Sequence, residues 1–385
     1  MTIHDHQQSL LGQLIHQRYE IHRSLGIGAY AQVYLARDLL QPSSWYAIKT
    51  LPPCTSAKQR GLQRMEIGLH ARVTPHPHIL QLHQVLRSPI SHHDNKQQMM
   101  ETHMVLEYSP EGDLFTAITE RHLYVNQPSM IRHVFLQLIR AVRHCHQSGV
   151  YHRDLKSENI MVFDGGWTVK LGDFGLATTD PVSKDYGCGS TFYFSPECQG
   201  DFDEHRQGYA TAPNDIWSLG IILINLTTGR NPWHRASFHD PAFRMYMDDP
   251  SILMTMLPTI SVPLHRILKR VLSIHPQDRM TLDELEHAIL HCPFFTGSLL
   301  PIVTNNVKSF SQVGLPSPPT TPGRHPCSFI NNQSVLDNDD DDDLLFSPLE
   351  TPISPLLHPP RSIHLDEQNN KDCSLFLDQF SSLKI

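Results

Sequence analysis

At positions 152–159 the chain reads HRDLKSEN, and at 169–177 it reads VKLGDFGLA. The first stretch holds Asp154, a carboxylate able to orient an attacking hydroxyl and take its proton. Two residues on, Lys156 offers an ammonium that can neutralise charge on a phosphoryl group, and Asn159 follows with an amide that can bind a metal ion. The second stretch adds Asp173, another oxygen ligand of the kind magnesium prefers, between Gly172 and Gly175. These types in this order point to phosphoryl transfer, in which positioning and electrostatics carry the catalysis.

Two further features lie more than a hundred residues upstream. In GIGAYAQVY, Gly26 and Gly28 sit between two predicted strands, so they turn a hairpin and do not open a helix as a dinucleotide-binding loop would. Without Cβ atoms, their backbone N–H groups can lie over phosphates. YAIK then supplies Lys49 on the next strand, and Glu66 follows on a predicted helix; an ammonium that must be held at a triphosphate benefits from a fixed carboxylate partner. Taken singly, each reads more simply as a structural turn or a surface lysine.

The elements that must position these groups fall into two regions. YEIHRSLGIG, AQVYLARDLL and WYAIKTL are rich in β-branched and aromatic residues and read as three strands. From Ala57 the apolar spacing becomes helical up to Pro75 and Pro77, and strands near 79–87 and 102–108 flank a polar stretch, SPISHHDNKQQMMETH. Beyond Pro110 helical spacing dominates, most clearly near 128–148, 214–228, 263–273 and 281–290, with short strand pieces at IMVFDG and TVKLGDFG. After about 297 the composition turns to Pro, Ser, Asn and Asp, which cannot bury enough apolar surface to offset chain entropy and reads as a disordered tail.

Bulk properties exclude several function classes. The net charge of -8 falls mostly on the tail, where 5 basic side chains face 11 acidic ones, so no basic surface for nucleic acid is expected. The longest apolar run, LGIILI, is far below the ~20 residues that cross a bilayer, and the N-terminus lacks a signal-peptide pattern. The 7 cysteines are scattered and never spaced Cys-x-x-Cys, which suits a reducing compartment, cytoplasmic or nuclear.

The glycine loop, YAIK, Glu66, HRDLKSEN, DFG, SPE and DIWSLG occur in the order of the protein kinase signature, and the chain resembles that family from about 19 to 295. The resemblance implies an α+β, bilobal fold: an N-terminal extension at 1–18, a kinase domain at 19–296 and the tail at 297–385. Within the domain it implies a β-rich lobe at 19–107, a hinge at 107–111 and a helical lobe at 112–296. It implies ATP and Mg2+ as cofactors, protein Ser/Thr substrates and a monomer. Lys49 would hold the α/β-phosphates with Glu66 as its partner, Asp154 would be the base and Lys156 a γ-phosphate contact. Asn159 and Asp173 would be the metal ligands. Gly26, Ile27 and Gly28 would cover the phosphates. Val33 and Ala47 would pack on adenine, Leu106 would close the back of its pocket, the backbone of Glu107 and Tyr108 would meet its edge, and Asp113 would reach the ribose. Glu197 with Arg279, and Asp215, look like structural braces. Lys156 and Ser190 are similar to the serine/threonine type, and GCGSTFYFSPECQG resembles fungal kinases that restrain meiosis or report nutrient state.

Three positions depart from the family pattern: Ala31 replaces the third loop glycine, Ser157 a proline, and Ser195 the alanine of APE. None removes a catalytic group; the alternative is a catalytically weak kinase-fold scaffold that binds nucleotide and presents the acidic tail. Arg153 implies a partner on the activation segment, whose usual phosphosite position falls on Tyr186. Asp185 is read as a fixed charge in place of phosphate, with Thr178, Thr179 and Ser183 as other sites. Glu158 is a candidate to attract an arginine of the substrate, but Asn225 stands where arginine-directed relatives often carry a second acid, so a preference for basic substrates is left open. His144 and His146 are read as surface histidines and Cys188 as an inert thiol. The tail's Ser-Pro and Thr-Pro pairs suit an upstream proline-directed kinase.

Overall fold

Alternating apolar residues in the first hundred positions close into one antiparallel sheet, seen in a computed structural model that describes residues 10–28, 31–89, 99–200 and 207–297. The acidic tail with its Ser-Pro and Thr-Pro pairs, positions 29–30 of the glycine loop and 90–98 of the polar stretch lie outside the described residues. The sheet comprises β1 (Leu14–Ile15), β2 (Tyr19–Ile27), β3 (Gln32–Asp38), β4 (Trp45–Leu51), β5 (Leu82–Pro89) and β6 (Met100–Glu107), in the order β1-β2-β3-β4-β6-β5. It takes in Leu14–Ile15 from the segment read as an extension, because Ile15 packs with Tyr19 and Ile21 in a buried cluster.

Register does the positioning. Gly26 pairs with Val33, Val33 with Lys49 and Lys49 with Met104, so one face of the sheet carries this row; Leu35, Ala47 and Leu106 form the next row on the same face. A slip of one residue would send Lys49 and Ala47 to the opposite face.

Helix α1 (Ala57–Val73) joins β4 to β5 and starts at Ser56, whose hydroxyl accepts from the Gln59 N–H. Its buried residues are Glu66, Leu69, His70 and Val73, spaced i, i+3, i+4, i+7 along one stripe. The same spacing that buries the apolar side chains therefore turns the Glu66 carboxylate inward.

The helical region follows with α2 (Leu114–Thr119), α3 (Pro128–Gln147), β7 (Ile160–Phe163), β8 (Thr168–Leu171), β9 (Val182–Ser183), α4 (Pro196–Gln199), β10 (Tyr209–Ala210), α5 (Thr211–Thr228), α6 (Pro241–Asp248), α7 (Ile252–Met256), α8 (Val262–Val271) and α9 (Leu282–His291). Helix α5 is buried on almost every side and runs through the core, packed between α3 and α8. Gly220 makes the α8 contact possible: a Cβ there would stand 2.7 Å from Val271 Cγ1 and 2.8 Å from Leu272 Cδ2. Arg279 donates to both Glu197 carboxylate oxygens at 2.7 and 3.0 Å, and its guanidinium stacks 5.1 Å over the Trp217 ring. That fork ties α4 to α5 and to the turn before α9. Among the described residues no helix is long and apolar enough to cross a membrane.

Candidate active site

The sheet face, α1 and the β7–β8 hairpin converge on Lys49. Its ammonium donates to the Glu66 carboxylate and to Asp173 Oδ1, the latter at 2.8 Å, although 124 residues separate Lys49 from Asp173. Burial alone would lower the lysine pKa, but the Asp173 and Glu66 carboxylates outweigh it and raise the value above the ordinary range. Lys49 is thus a permanent cation held between two anions.

Asp173 is aimed by its backbone and by its neighbour. It adopts a left-handed φ of 58°, uncommon for a residue with a side chain. Phe174 is buried, with its ring 4.8 Å from that of His70 on α1 and 5.0 Å from that of His152. His70 accordingly does more than fill the helix stripe. Its Nε2 bonds Leu80 O at 2.8 Å, and burial pushes its pKa down to about 4, so it is neutral at ordinary pH.

The catalytic loop sits on Asp215, the fully buried carboxylate near the start of α5. Oδ2 accepts from the His152 N–H at 2.9 Å and Oδ1 from the Arg153 N–H at 2.8 Å, while His146 Nε2 lies 2.9 Å from Oδ2. Arg153 is held at a left-handed φ of 63°, a strained conformation that persists only while such bonds over-determine it. Asp154 comes next and is surrounded by donors. Lys156 Nζ approaches Oδ2 at 2.7 Å, Asn159 Nδ2 at 3.1 Å, and Ser190 Oγ donates to Oδ1 at 2.9 Å. The Asn159 amide N–H2 also bonds Asp154 O at 2.9 Å, so its oxygen is the atom left for another partner.

The apolar part of the site spans both regions. Val33, Ala47, Leu106 and Tyr108 share one cluster with Leu25, with Ala31 and with Met161 and Phe163 of β7. Met161 has no counterpart in the sequence reading, since a lone methionine in a short strand carries no motif. Glu107 donates its N–H to Gln81 O at 2.9 Å and pairs its carboxylate with Lys170 at 2.6 Å. Asp113 caps α2 by accepting from the Thr116 N–H at 2.7 Å. Gly26 lies in β2, Ile27 is exposed, and the Gly28 N–H donates to Ala31 O at 2.8 Å across the turn.

On the activation segment, Arg153 donates to Ser183 Oγ and to Asp185 Oδ2, each at 2.9 Å, and through Nε to Leu176 O at 2.7 Å. Of the hydroxyl sites named above, Thr178 and Ser183 are buried and Thr179 is exposed. Tyr186 accepts from the Gly208 N–H at 2.7 Å. His144 and His146, read as surface residues, are partly buried instead: the first bonds Val73 O at 3.0 Å and stacks on His76, and the second bonds Asp215. Periodicity alone does not reveal such cross-element partners. Cys188 is buried, and burial raises the thiol pKa of nearby Cys198 to about 12.

The donor set fits magnesium. Among the described residues no group of three or more His, Cys, Asp or Glu is arranged to hold a metal. One carboxylate and one amide oxygen, completed by phosphate oxygens, is the usual way Mg2+ is held beside a nucleotide.

A family model described as "Protein kinase domain" matches residues 19–295. The "Negative regulator of sexual conjugation and meiosis" of Schizosaccharomyces pombe is 43% identical over 329 residues, covering 80% of this chain and 67% of that protein. "Serine/threonine-protein kinase VHS1" of Saccharomyces cerevisiae is 37% identical over 244 residues, covering 60% of this chain and 50% of its own length. "Serine/threonine-protein kinase ksp1" of Schizosaccharomyces pombe is 36% identical over 278 residues, with 71% and 56% covered. The chain therefore spans between half and two thirds of these relatives.

Proposed function

The chain belongs to the protein kinase family, of the serine/threonine type, and from that premise we propose that it transfers the γ-phosphoryl group of ATP to serine and threonine hydroxyls of proteins. The observation that carries this reading is the meeting of Lys49 with Asp173 and Glu66, beside an Asp154 already ringed by donors.

ATP with Mg2+ supplies the phosphoryl group, its leaving group and the charge neutralisation that a metal brings. Asn159 and Asp173 would hold the metal, and Lys49, kept cationic by its two carboxylates, would hold the α/β-phosphates. Asp154 orients the acceptor hydroxyl and takes its proton as the new O–P bond forms and the bond to the leaving group breaks. Lys156 Nζ, 2.7 Å from Asp154 Oδ2, stands where charge on the transferred group is met. The Val33, Ala47, Leu106 and Met161 side chains pack the adenine, while backbone groups of Glu107 and Tyr108 recognise its edge. Asp113 serves the ribose with the oxygen not spent on capping.

Asp185 replaces an activating phosphate as the partner of Arg153, so turnover does not require phosphorylation of the segment. The likeness to the negative regulator of conjugation and meiosis supports a role in signalling that restrains those processes.

Purified full-length chain, stripped of phosphate and given labelled ATP with a generic acceptor protein, transfers label to Ser/Thr. Asp154→Asn lowers transfer at least ~100-fold, in line with loss of a general base, and leaves nucleotide binding intact. Equal, minimal transfer by both proteins, with nucleotide bound, favours the scaffold reading.

A further inference from the structure

Helix α1 turns Glu66 inward, and its opposite face is basic. Lys58, Arg60, Arg64 and Arg72 are all exposed, while Glu66, the only acid of the helix, is buried. At about 100° per residue, Arg64 points away from Glu66, and Arg60 lies one turn before it on the same side. Among the described residues no carboxylate pairs with Arg60, Arg64 or Arg72, whereas Arg140 and Arg143 of α3 and Arg270 of α8 each have one.

Two further features of this face suit a bound chain. Leu62 and Met65, next to these arginines along the helix, stay 49% and 45% exposed. Gly61 and Gly68 stand in the helix interior, where glycine is a poor helix former, and no heavy atom outside the helix backbone lies within 4 Å of where a Cβ would be at either. Packing within the described residues does not call for these glycines, but a backbone laid along the helix can approach closely over them. Arginine forks match carboxylates, and exposed apolar side chains gain from an apolar cover. A nucleic-acid backbone would meet the arginines and leave Leu62 and Met65 uncovered. The Lys49–Glu66 pair is already formed, so a chain docked here need not move α1 to complete the site.

We propose that the solvent face of α1 is a docking surface for an acidic segment of the acceptor protein, its carboxylates on Arg60, Arg64 and Arg72 and its apolar residues on Leu62 and Met65. The proposal deepens the protein-phosphorylation reading and rests on it for the nature of the partner. The docked segment is remote from the phosphorylated hydroxyl and acts by tethering: a flexible linker of about 30 residues spans roughly 30 Å, enough to pass round a helix ~10–12 Å across. Docking therefore raises the local concentration of acceptor without touching the chemical step.

The test uses the full-length chain and a fluorescent probe peptide of four aspartates followed by two leucines, read by fluorescence polarisation. A serine acceptor peptide, with and without this segment on a Gly/Ser tether of about 30 residues, gives KM and kcat. The probe should bind, more weakly as salt rises, and the tethered segment should lower KM about 10-fold with kcat within about 2-fold. Arg60→Glu/Arg64→Glu should weaken probe binding at least ~10-fold and abolish the KM advantage, leaving both constants for the untethered peptide within about 2-fold. Gly68→Leu keeps the charge and adds bulk on the docking path; it should weaken probe binding about 5-fold or more, which loose charge attraction would not. The proposal is overturned if the probe does not bind, if the KM advantage survives the double charge reversal, or if a single-stranded oligonucleotide binds this face as tightly. Probe binding that appears only after Asp339 to Asp343 are changed to Asn gives the face to this chain's own acidic run, and self-association lost on R60E/R64E gives it to a second copy; either overturns the proposal. Probe binding without transfer by the wild type leaves the docking surface standing and refutes the phosphoryl-transfer reading alone.

Discussion

Replacing Asp215 by asparagine changes one oxygen to an N–H2 group in a fully buried site that serves three donors. Asparagine can still accept from one backbone N–H of the catalytic loop, but it sets a donor against the other. One buried N–H is then unpaired, at a cost of about 1–3 kcal/mol. That energy comes from the segment that keeps Arg153 at φ 63°, a conformation costing about 1–3 kcal/mol on its own. The loop is therefore expected to relax away from the strained geometry and carry Asp154 off its mark. If 1–3 kcal/mol appears in the barrier, kcat falls about 5- to 150-fold, with a smaller effect on nucleotide binding, since Lys49 and Asp173 belong to other elements. Denaturant unfolding at matched m-values, together with steady-state transfer to a peptide, reads both consequences. Asp215→Ala, which orphans both N–H groups, should be worse on each. A D215N protein with unchanged unfolding free energy and kcat within about 2-fold would show that Asp215 does not hold the loop, and the argument would fail.

Other consequences are quicker to state. Asp185→Asn removes the charge that faces Arg153 but leaves its bonds to Ser183 Oγ and Leu176 O; because the Asp185 side chain is 68% exposed, the ion pair is worth under about 1 kcal/mol. Phosphate-free activity should drop only about 2- to 4-fold, and added salt should produce a similar drop in the wild type; total loss would mean the carboxylate does more than balance charge. Glu197→Ala leaves the Arg279 guanidinium buried without its counter-ion and should cost about 3–5 kcal/mol in unfolding free energy, and a cost below about 1 kcal/mol would contradict the brace. His70, with a folded pKa of about 4, binds its proton in the unfolded chain first, so its contribution is present above pH ~6.5 and is lost as pH falls toward 4. The stability difference between wild type and His70→Asn should thus shrink by roughly 3 kcal/mol over that window; a difference that does not vary with pH would refute it.

Much of the site was legible because its chemistry is carried by short ordered motifs. HRDLKSEN and DFG name their own roles, and the i, i+3, i+4, i+7 stripe of α1 is visible in the letters, including the oddity of a glutamate within it. Helices α2, α6 and α7 escaped detection because 5–8 residues span too few turns to show a period. Strand β1 escaped because two residues carry no alternation. His146 and His70 were hidden for another reason: a histidine's meaning depends on what it faces, and Asp215, Leu80 and Phe174 come from distant segments.

The family, and the groups it implies for phosphoryl transfer, were readable from the letters alone, because side-chain chemistry and local spacing are properties of the letters. Tertiary structure decided which groups share charge. The Lys49 ammonium is held between two carboxylates because sheet register and the Phe174 anchor bring Asp173 within 2.8 Å, opposite Glu66. It also decided that Ser157 meets Tyr193, since long-range packing selects contacts that no local pattern encodes.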